Sequence, residues 1–255
     1  MLIIVPSSEG KRAPTSGAPL DLPSLSFPEL TDLRAAVLDA LIKTSGEPDR
    51  LDRIVVGASL IGELERNRSL FTWPTGPVLE IYDGVLHRAL DAGSLSARAK
   101  RRASHSLLLA SSLFGLLRPS DHIPPYRLPV DADLLGLPSL ATFWRSHLTT
   151  LIEHTMGDTG VVLDLRAANY RLLGASRGAD TLTLRLLPGA PGGNVALKQA
   201  RGSAARYLLE SESTPATISE LAARLCELWP GTLSRPAGKN APWLLSIDPR
   251  GIARR

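Results

Sequence analysis

The sequence predicts one mixed α/β domain of the α+β type, with a central mixed sheet, surrounding helices and a helix-hairpin-helix-like element. Two patterns predict this class. Short apolar runs of strand length lie between longer segments with helical spacing of apolar residues, and no regular strand-helix-strand repeat joins them. A chain of 255 residues of which 44% are apolar can bury one large core. We therefore expect a single domain over residues 1–255, with a helical sub-region at about 29–70.

The predicted strands are short apolar segments bounded by glycine, proline or polar residues. The first, Met1–Val5, is followed by a loop rich in Pro, Ser and Gly over residues 6–28. Val78–Tyr82 and Leu107–Leu117 have the apolar character of buried strands. The remaining predicted strands are Val161–Leu165, Asp180–Leu187, Val195–Leu197 and Trp243–Ile247.

The predicted helices have apolar residues three and four positions apart. Leu30–Ile42 follows Pro28, which suits a helix start. Leu137–Met156 has Ser139 as a candidate N-cap and Gly157 as its stop. The other predicted helices are Asp49–Val56, Leu60 to about Arg68, Gly84 to Leu90, Ser96–His105, Lys198–Glu210 and Thr217–Leu228.

Composition argues against several classes of protein. A single cysteine, Cys226, excludes an internal disulfide and a multi-cysteine metal site, and it fits a cytoplasmic location. No apolar run approaches the roughly 20 residues that span a bilayer, and Met1–Val5 lacks a basic leader, so we expect no membrane association. The histidines lack metal-ligand spacing, and there is no phosphate-binding glycine loop or serine-triad motif, so we expect no metal and no cofactor.

Positive charge is concentrated in the latter two-thirds of the chain. Residues 1–80 hold 8 Lys and Arg against 11 Asp and Glu, whereas residues 81–255 hold 21 against 14. The densest cluster is in Ser96–His105, where Arg98, Arg101, Arg102 and His105 form one helical stripe beside Lys100. No acidic residue between positions 94 and 120 relieves their repulsion. The stripe is either a solvated helix face or a surface that faces phosphate.

The two short helices around residues 49–68 meet at Gly57, Ala58 and Ser59. Two helices joined at a glycine are the pattern of a helix-hairpin-helix, in which backbone amides hold a DNA phosphate. The second glycine of the usual hairpin is missing at its expected spacing. The alternative interpretation is an ordinary helical hairpin within the core.

A proline-rich loop follows the apolar run Leu107–Leu117 and carries Arg118, Asp121, Tyr126 and Arg127. Prolines fix φ, so this loop loses little entropy when it binds a ligand. Arginine offers a planar, permanently charged group that suits phosphate or carboxylate. The loop is therefore either an anion-binding element or a surface loop with an ordinary ion pair.

Lys198, Arg201 and Arg206 are predicted to open a helix directly after a strand, where backbone amides favour anions. With the two arginines of the proline loop they would line a basic cleft. The carboxylates best placed to orient these groups are Asp121 and Asp164. The alternative is that these carboxylates form purely structural ion pairs.

Several separated motifs, in one order, carry a resemblance to a known family. The segment 111–127 reads SSLFGLLRPSDHIPPYR, an aromatic-Gly-x-Leu-Arg-Pro-x-Asp element followed by Pro-Tyr-Arg. The other motifs are Met1-Leu2-Ile3-Ile4, Tyr82-Asp83-Gly84-Val85, Phe143-Trp144, Val161–Leu165 with Tyr170, and Lys198-x-x-Arg201-Gly202. Together they resemble the YaaA family of bacterial peroxide-stress proteins.

The resemblance implies a cytoplasmic protein with a fold peculiar to that family, which is associated with protection from hydrogen peroxide and with recombinational DNA repair. Its characterised type binds duplex and branched DNA through a basic cleft and a helix-hairpin-helix, and no catalytic reaction is established for the family. We therefore expect a DNA-binding protein of the peroxide-stress response. The candidate DNA- or anion-binding residues are Arg98, Lys100, Arg101, Arg102, Arg118, Arg127, Lys198, Arg201 and Arg206.

The chain departs from the family pattern at three places. Asp83 and His87 stand where relatives often have a lysine and a tyrosine, and Val195-Ala196-Leu197 replaces a polar segment. Asp83 and His87 would form a general acid–base pair. The alternative function is therefore a divergent enzyme of a specialised biosynthetic pathway, acting on a small anionic or nucleotide-like substrate. Its candidate catalytic residues are Asp83, His87, Asp121, Tyr126, Asp164 and Lys198.

Overall fold

The structure, a computed structural model, describes residues 1–157, 160–176 and 180–250. Nine strands occur in these residues: β1 Leu2–Pro6, β2 Gly76–Pro77, β3 Leu107–Ser111, β4 Gly115–Leu117, β5 His122–Ile123, β6 Val162–Asp164, β7 Thr181–Leu186, β8 Gly231–Ser234 and β9 Trp243–Ile247. The α-helices in the same residues are α1 Thr31–Ser45, α2 Arg50–Arg53, α3 Ile61–Asn67, α4 Val78–Ile81, α5 Val85–Leu90, α6 Ala97–Ser106, α7 Leu140–Met156, α8 Ala168–Arg171, α9 Gly193–Glu210 and α10 Ile218–Cys226.

A mixed sheet forms the centre of the described molecule, with the strand order β4-β3-β1-β6-β7-β9-β8. The five inner strands are parallel, and β4 and β8 add antiparallel edges. Parallel strands are covered by helices on both faces, which explains why β1 and β3 are apolar and buried along almost their whole length. The predicted mixed α/β class is confirmed.

Capping residues fix several helix starts where the sequence places them. Ser96, Ser139 and Thr217 accept hydrogen bonds from the backbone amides three residues ahead, at the starts of α6, α7 and α10. In α7 the indole of Trp144 is fully buried and donates to the Ser112 carbonyl at 2.9 Å. This contact anchors α7 to the turn between β3 and β4.

Three predicted strands differ in the structure. Val78–Tyr82 is wrong as a strand, because Val78 and Ile81 are buried on one side of the single-turn helix α4. Val195–Leu197 is also wrong, because these residues lie inside α9, which begins at Gly193. Leu107–Leu117 divides into β3 and β4 at a tight turn.

Gly115 allows that turn to close. Its φ is +72°, a left-handed conformation, and a Cβ there would lie 3.0 Å from the Trp144 ring. The chain reverses here, so the predicted long strand becomes a hairpin at the sheet edge.

Among the described residues, no helix combines the length and the apolar character needed to cross a membrane.

Candidate functional site

The carboxyl ends of three parallel strands meet in the middle of the sheet. The chain leaves β1 for β3 on one side and later returns as β6 on the other side. In open sheets of this kind, ligands bind outside the carboxyl ends of the strands where the order switches. Ser7, Ser111 and Asp164 lie at these three ends and are buried.

A hydroxyl network covers the ends of β1 and β3. The Tyr126 hydroxyl hydrogen-bonds Ser111 Oγ at 2.7 Å and the Tyr82 hydroxyl at 2.9 Å. Ser7 Oγ hydrogen-bonds the Tyr170 hydroxyl at 2.9 Å. Burial raises the pKa of all three tyrosines, so they are protonated at neutral pH. The network can donate and accept hydrogen bonds without adding charge.

His87 lies against this network as a neutral hydrogen-bond acceptor. Its Nε2 is 2.9 Å from the Pro6 carbonyl oxygen, which only accepts, so Nε2 carries the proton. Burial lowers the pKa of His87 to about 4, and Nδ1 therefore holds a lone pair. Within the described residues, that buried Nδ1 has no hydrogen-bond partner.

Lys11 belongs to the same cluster, and the sequence argument missed it as a site residue. Its Nζ donates to the Ser8 carbonyl at 2.8 Å and lies 3.9 Å from the centre of the Tyr126 ring. Burial lowers the pKa of Lys11 to about 7, and nearby Glu9 opposes that shift. An amine of this kind exchanges protons near neutral pH. The sequence feature that could have identified Lys11 as a site residue is its position in the long loop that follows the central strand β1.

Residues 8–12 form a strap over the hydroxyl network. The Asp83 amide donates to the Gly10 carbonyl at 3.0 Å, and the Arg12 amide donates to the Ile81 carbonyl at 2.8 Å. A Cβ at Gly10 would lie only 2.7 Å from the Asp83 oxygen, so this close approach needs glycine. Arg127 fastens the other side of the strap through an ion pair with Glu9 at 2.8 Å.

Asp83 does not hydrogen-bond His87, so the predicted acid–base pair is not a direct contact. Its carboxylate pairs with Arg12 at 3.3 Å and with Arg88 at 3.0 Å, and these hydrogen bonds, that of Arg12 first, lower its pKa. Asp83 and His87 do line one cleft of about 900 Å³, together with Arg12, Arg88 and His122. The cleft opens beside the strap.

Asp164 pairs with an arginine that the sequence argument did not single out. Arg166 donates from Nε to Asp164 Oδ1 at 2.9 Å and from Nη2 to Oδ2 at 2.8 Å, and both residues are buried. Arg201 approaches the same place from α9, donates to the Leu184 carbonyl at 3.3 Å and is 8% exposed. Burial lowers the pKa of Arg201 to about 10.

Asp121 orders the proline-rich loop by accepting backbone hydrogen bonds. It accepts from the amides of Ser26 and Arg118, each at 2.8 Å, and does not pair with the Arg118 guanidinium. That guanidinium instead donates to the carbonyls of Ser104 and His105 at the end of α6. The alternative interpretation of this loop as carrying an ordinary ion pair therefore does not hold for Arg118 and Asp121.

The basic stripe of α6 lines an open groove of about 490 Å³. Arg98, Arg101, Arg102 and His105 all border it, and Arg101 is exposed. Arg102 donates to carbonyls at the end of α9, including Leu209 at 3.0 Å, and Arg98 donates to the Glu210 carbonyl at 2.8 Å. Carbonyl partners carry no net charge, and the charged residues of the groove lining are all basic, so the groove is cationic. The Glu210 carboxylate, which bonds Ser96, offsets part of the Arg98 charge.

The remaining predicted basic residues lie apart from this groove lining. Lys198 is exposed inside α9, which begins five residues earlier, so its predicted place at a helix start is wrong. Arg206 donates to the Leu90 and Asp91 carbonyls at the end of α5. Lys100 donates to the Gly93 carbonyl.

The hairpin Gly57–Ser59 is an exposed turn between α2 and α3. Gly57 has φ of −73° and precedes a short 3-10 turn over Ala58–Leu60. The first amides of such a turn have no partner inside it. Exposed Val55 and Ile61 lie on either side of the hairpin.

Comparison with known proteins gives one consistent result. A family model described as peroxide stress protein YaaA matches residues 1–226. A UPF0246 protein of Streptomyces coelicolor is 40% identical over 97% of this chain and 98% of its own length. UPF0246 proteins of Corynebacterium efficiens and Corynebacterium glutamicum strain R are 37% and 35% identical, each over 87% of this chain and 90% of the relative. The chain therefore belongs to the YaaA peroxide-stress family, whose members also carry the description UPF0246.

Proposed function

We propose that this protein binds DNA in the cytoplasm as part of the peroxide-stress response, with the α6 groove as the surface that holds the phosphate backbone. Membership of the YaaA family supports the stress role, and the groove supports the ligand class. The observation that carries the proposal is the convergence of Arg98, Arg101, Arg102 and His105 along one groove whose lining residues include no carboxylate. Clustered arginines favour polyanions and give little base selectivity.

The arrangement of α6 explains how these charges remain available. Arg98 and Arg102 are held in place by carbonyls at the end of α9. The Glu210 carboxylate offsets part of the Arg98 charge, whereas Arg102 bonds only to carbonyls in the described residues. Arg101 extends freely into solvent at the centre of the stripe. Arg118 adds a further positive charge at the end of α6. A duplex whose backbone lies along α6 would contact these groups one after another.

The Gly57 hairpin is a second contact in this proposal. Its amides and the exposed side chains of Val55 and Ile61 form a small protruding surface. Helix-hairpin-helix modules use such amides for a phosphate. The helical sub-region is not basic, so its contribution would be geometric, and the α6 groove would supply most of the salt-dependent affinity.

A gel-shift and fluorescence-anisotropy titration tests the DNA proposal. We expect R101E to weaken duplex binding about tenfold or more at low salt, and R101A to reduce the slope of log affinity against log salt by about 1. R235E carries the same charge change at an exposed position beyond β8, and we expect it to bind nearly as the wild type does. Equal loss in both variants, or no binding by the wild type at low salt, would reject the groove.

A second candidate function is binding of a small anionic or nucleotide-like ligand at the carboxyl ends of β1, β3 and β6, as an enzyme would. The specific observation is the buried cluster of Lys11, His87 and three tyrosines at the switch point of the sheet. Groups with strongly shifted pKa values, gathered beside a cleft, are typical of active sites. A ligand hydroxyl or amine would find an acceptor in His87.

Native mass spectrometry tests this second function. The protein is incubated with a small-molecule extract of its own cells, and retained compounds are identified after buffer exchange. We expect retention by the wild type and loss in Y126F, which removes the central hydroxyl of the network. Y207F makes the same change on α9, where the hydroxyl contacts Glu227, and should retain the ligand. Absence of any retained compound would reject this function.

A further inference from the structure

Three arginines beyond the hydroxyl network, Arg166, Arg171 and Arg201, carry more positive charge than the acidic groups around them in the described residues can balance. Arg166 is completely buried after β6, and Arg201 is 8% exposed on α9. Arg171, in α8, donates from Nη1 to the Arg166 carbonyl at 3.1 Å and to Thr183 Oγ1 at 3.4 Å. Arg171 also lowers the pKa of Arg201, which shows that the two cations lie within electrostatic reach.

In the part of the chain that the structure describes, the carboxylate that faces these guanidinium groups is that of Asp164. Asp164 accepts two hydrogen bonds from the Arg166 guanidinium, and that pair is electrically neutral. Arg201 and Arg171 bond only to carbonyl and hydroxyl oxygens in the described part of the chain. An excess of two positive charges therefore remains, one on buried Arg201 and one on half-buried Arg171. Buried charge of this kind is costly unless an anion balances it.

Unused donors accompany the excess charge. Arg166 Nη1 and Arg201 Nε are both buried, and neither has a hydrogen-bond partner in residues 1–157, 160–176 and 180–250. Buried polar groups in folded proteins are usually satisfied, so two unpartnered donors add to the electropositive character of this position. Because guanidinium groups only donate, this position favours a ligand that is rich in acceptor atoms, such as a phosphate.

A cavity of about 380 Å³ opens beside this group, and of the three arginines Arg171 is in its lining. Its lining includes Asp164, Arg171, Ser176, Thr181, Lys239 and Asn240. The volume is within the range of roughly 300–1,000 Å³ that is typical of small-molecule sites. The lining thus offers a guanidinium and an ammonium for an anion, and hydroxyl and amide groups for the rest of a polar molecule.

We propose that Arg171, backed by Arg166 and Arg201, binds the phosphate group of a small phosphate monoester in the cavity between the carboxyl end of β6 and the amino ends of β7 and β9. A phosphate monoester carries close to two negative charges at neutral pH and three strong acceptor oxygens, which matches the excess of two positive charges. Arg171 contacts the phosphate directly, and Arg166 and Arg201 stabilise it from behind. This inference rests on the second function proposed above and names its substrate class.

Isothermal titration at pH 8 with ribose 5-phosphate and with ribose tests the assignment. We expect the wild type to bind ribose 5-phosphate and to show no heat with ribose. R171Q should weaken binding about tenfold or more, because it removes the charged donor that lines the cavity. R235Q removes an exposed arginine outside the cavity and should bind within twofold of the wild type.

Lys239→Gln keeps the test informative if R171Q does not fold. Lys239 is exposed at the cavity mouth, so its replacement should leave the fold intact and still weaken ribose 5-phosphate binding several-fold. Thermal unfolding of each variant, followed by circular dichroism, separates loss of binding from loss of structure.

Each of the following results would overturn the phosphate assignment: no binding of ribose 5-phosphate, equal binding of ribose, an unchanged affinity in both R171Q and K239Q, and a DNA-binding loss in R171Q as large as in R101E. The last result would mean that the site holds a DNA phosphate. If the extract experiment retains a compound without phosphate, the assignment fails while the small-ligand function stands. If ribose 5-phosphate does not bind and the extract experiment retains nothing, both fail.

Discussion

Replacing Asp164 by asparagine tests how the fold tolerates so much buried positive charge. The carboxylate accepts three hydrogen bonds from Arg166: from its amide at 3.0 Å, from Nε at 2.9 Å and from Nη2 at 2.8 Å. Asparagine is nearly isosteric, but it removes the negative charge and turns one acceptor into a donor facing a guanidinium. Arg166 would then remain fully buried without an anion, beside Arg201.

The expected cost follows from burial. Breaking a buried ion pair by removing one partner costs about 3–5 kcal/mol of unfolding free energy, because the remaining charge is desolvated. For a protein of this size each kcal/mol lowers the melting temperature by roughly 2–4 °C. We therefore expect D164N to melt about 6–20 °C below the wild type.

Asp133 provides a matched control. It pairs with Arg53 at 2.7 Å, as short a contact as that of Asp164, but its side chain is 73% exposed. Exposed ion pairs contribute less than about 1 kcal/mol, so D133N should unfold almost as the wild type does. Urea titrations followed by circular dichroism give both free energies. A D164N value within about 1 kcal/mol of D133N would refute the argument that Asp164 offsets buried arginine charge.

Three further outcomes concern the hydroxyl network. The pKa of Lys11 falls from 10.5 to about 7 on folding, so between pH 7 and 10.5 the unfolded chain binds more protons than the folded chain does. The unfolding free energy of the wild type should therefore rise with pH over this range, relative to that of K11M. His87 falls from 6.5 to about 4, so the wild type should lose stability as pH drops through that window, and H87Q should lose less. Y126F leaves the hydroxyls of Ser111 and Tyr82 without their partner and should cost about 1–3 kcal/mol in urea unfolding.

Local patterns predicted most of the helices and inner strands because short-range chemistry decides them. Ser139 caps α7 as predicted, and Thr217, the predicted first residue of a helix, caps α10, since a side-chain oxygen and an amide three residues on are enough. Val78–Tyr82 could not be assigned in this way. Five apolar-rich residues fit either a strand or one helical turn, and the packing of Val78 and Ile81 decides the outcome.

The candidate site was predicted in part. Asp164, Tyr126 and His87 do gather at the carboxyl ends of the strands, but Lys11 and Arg166 were missed. Arg166 looks like an ordinary charged residue after a strand, and only the fold shows that it is completely buried. Arg34 is a second arginine whose burial the sequence does not indicate. It is fully buried in α1 and donates to the Phe114 and Leu116 carbonyls, which lie some 80 positions away in sequence.

Most of the arginines predicted to hold DNA donate to backbone carbonyls at helix ends. Whether the partner of an arginine is a carbonyl or a carboxylate decides whether that arginine still attracts an anion. Arg102 and Arg118 keep their full charge while bonding carbonyls, because a carbonyl is a dipole and not an anion. Arg127 is different, since Glu9 neutralises it. Substitutions of Arg101 and Arg171 therefore test the two binding surfaces separately. If R101E affects only DNA and R171Q affects only a phosphate monoester, the chain holds two independent anion sites; a shared effect would mean one continuous site.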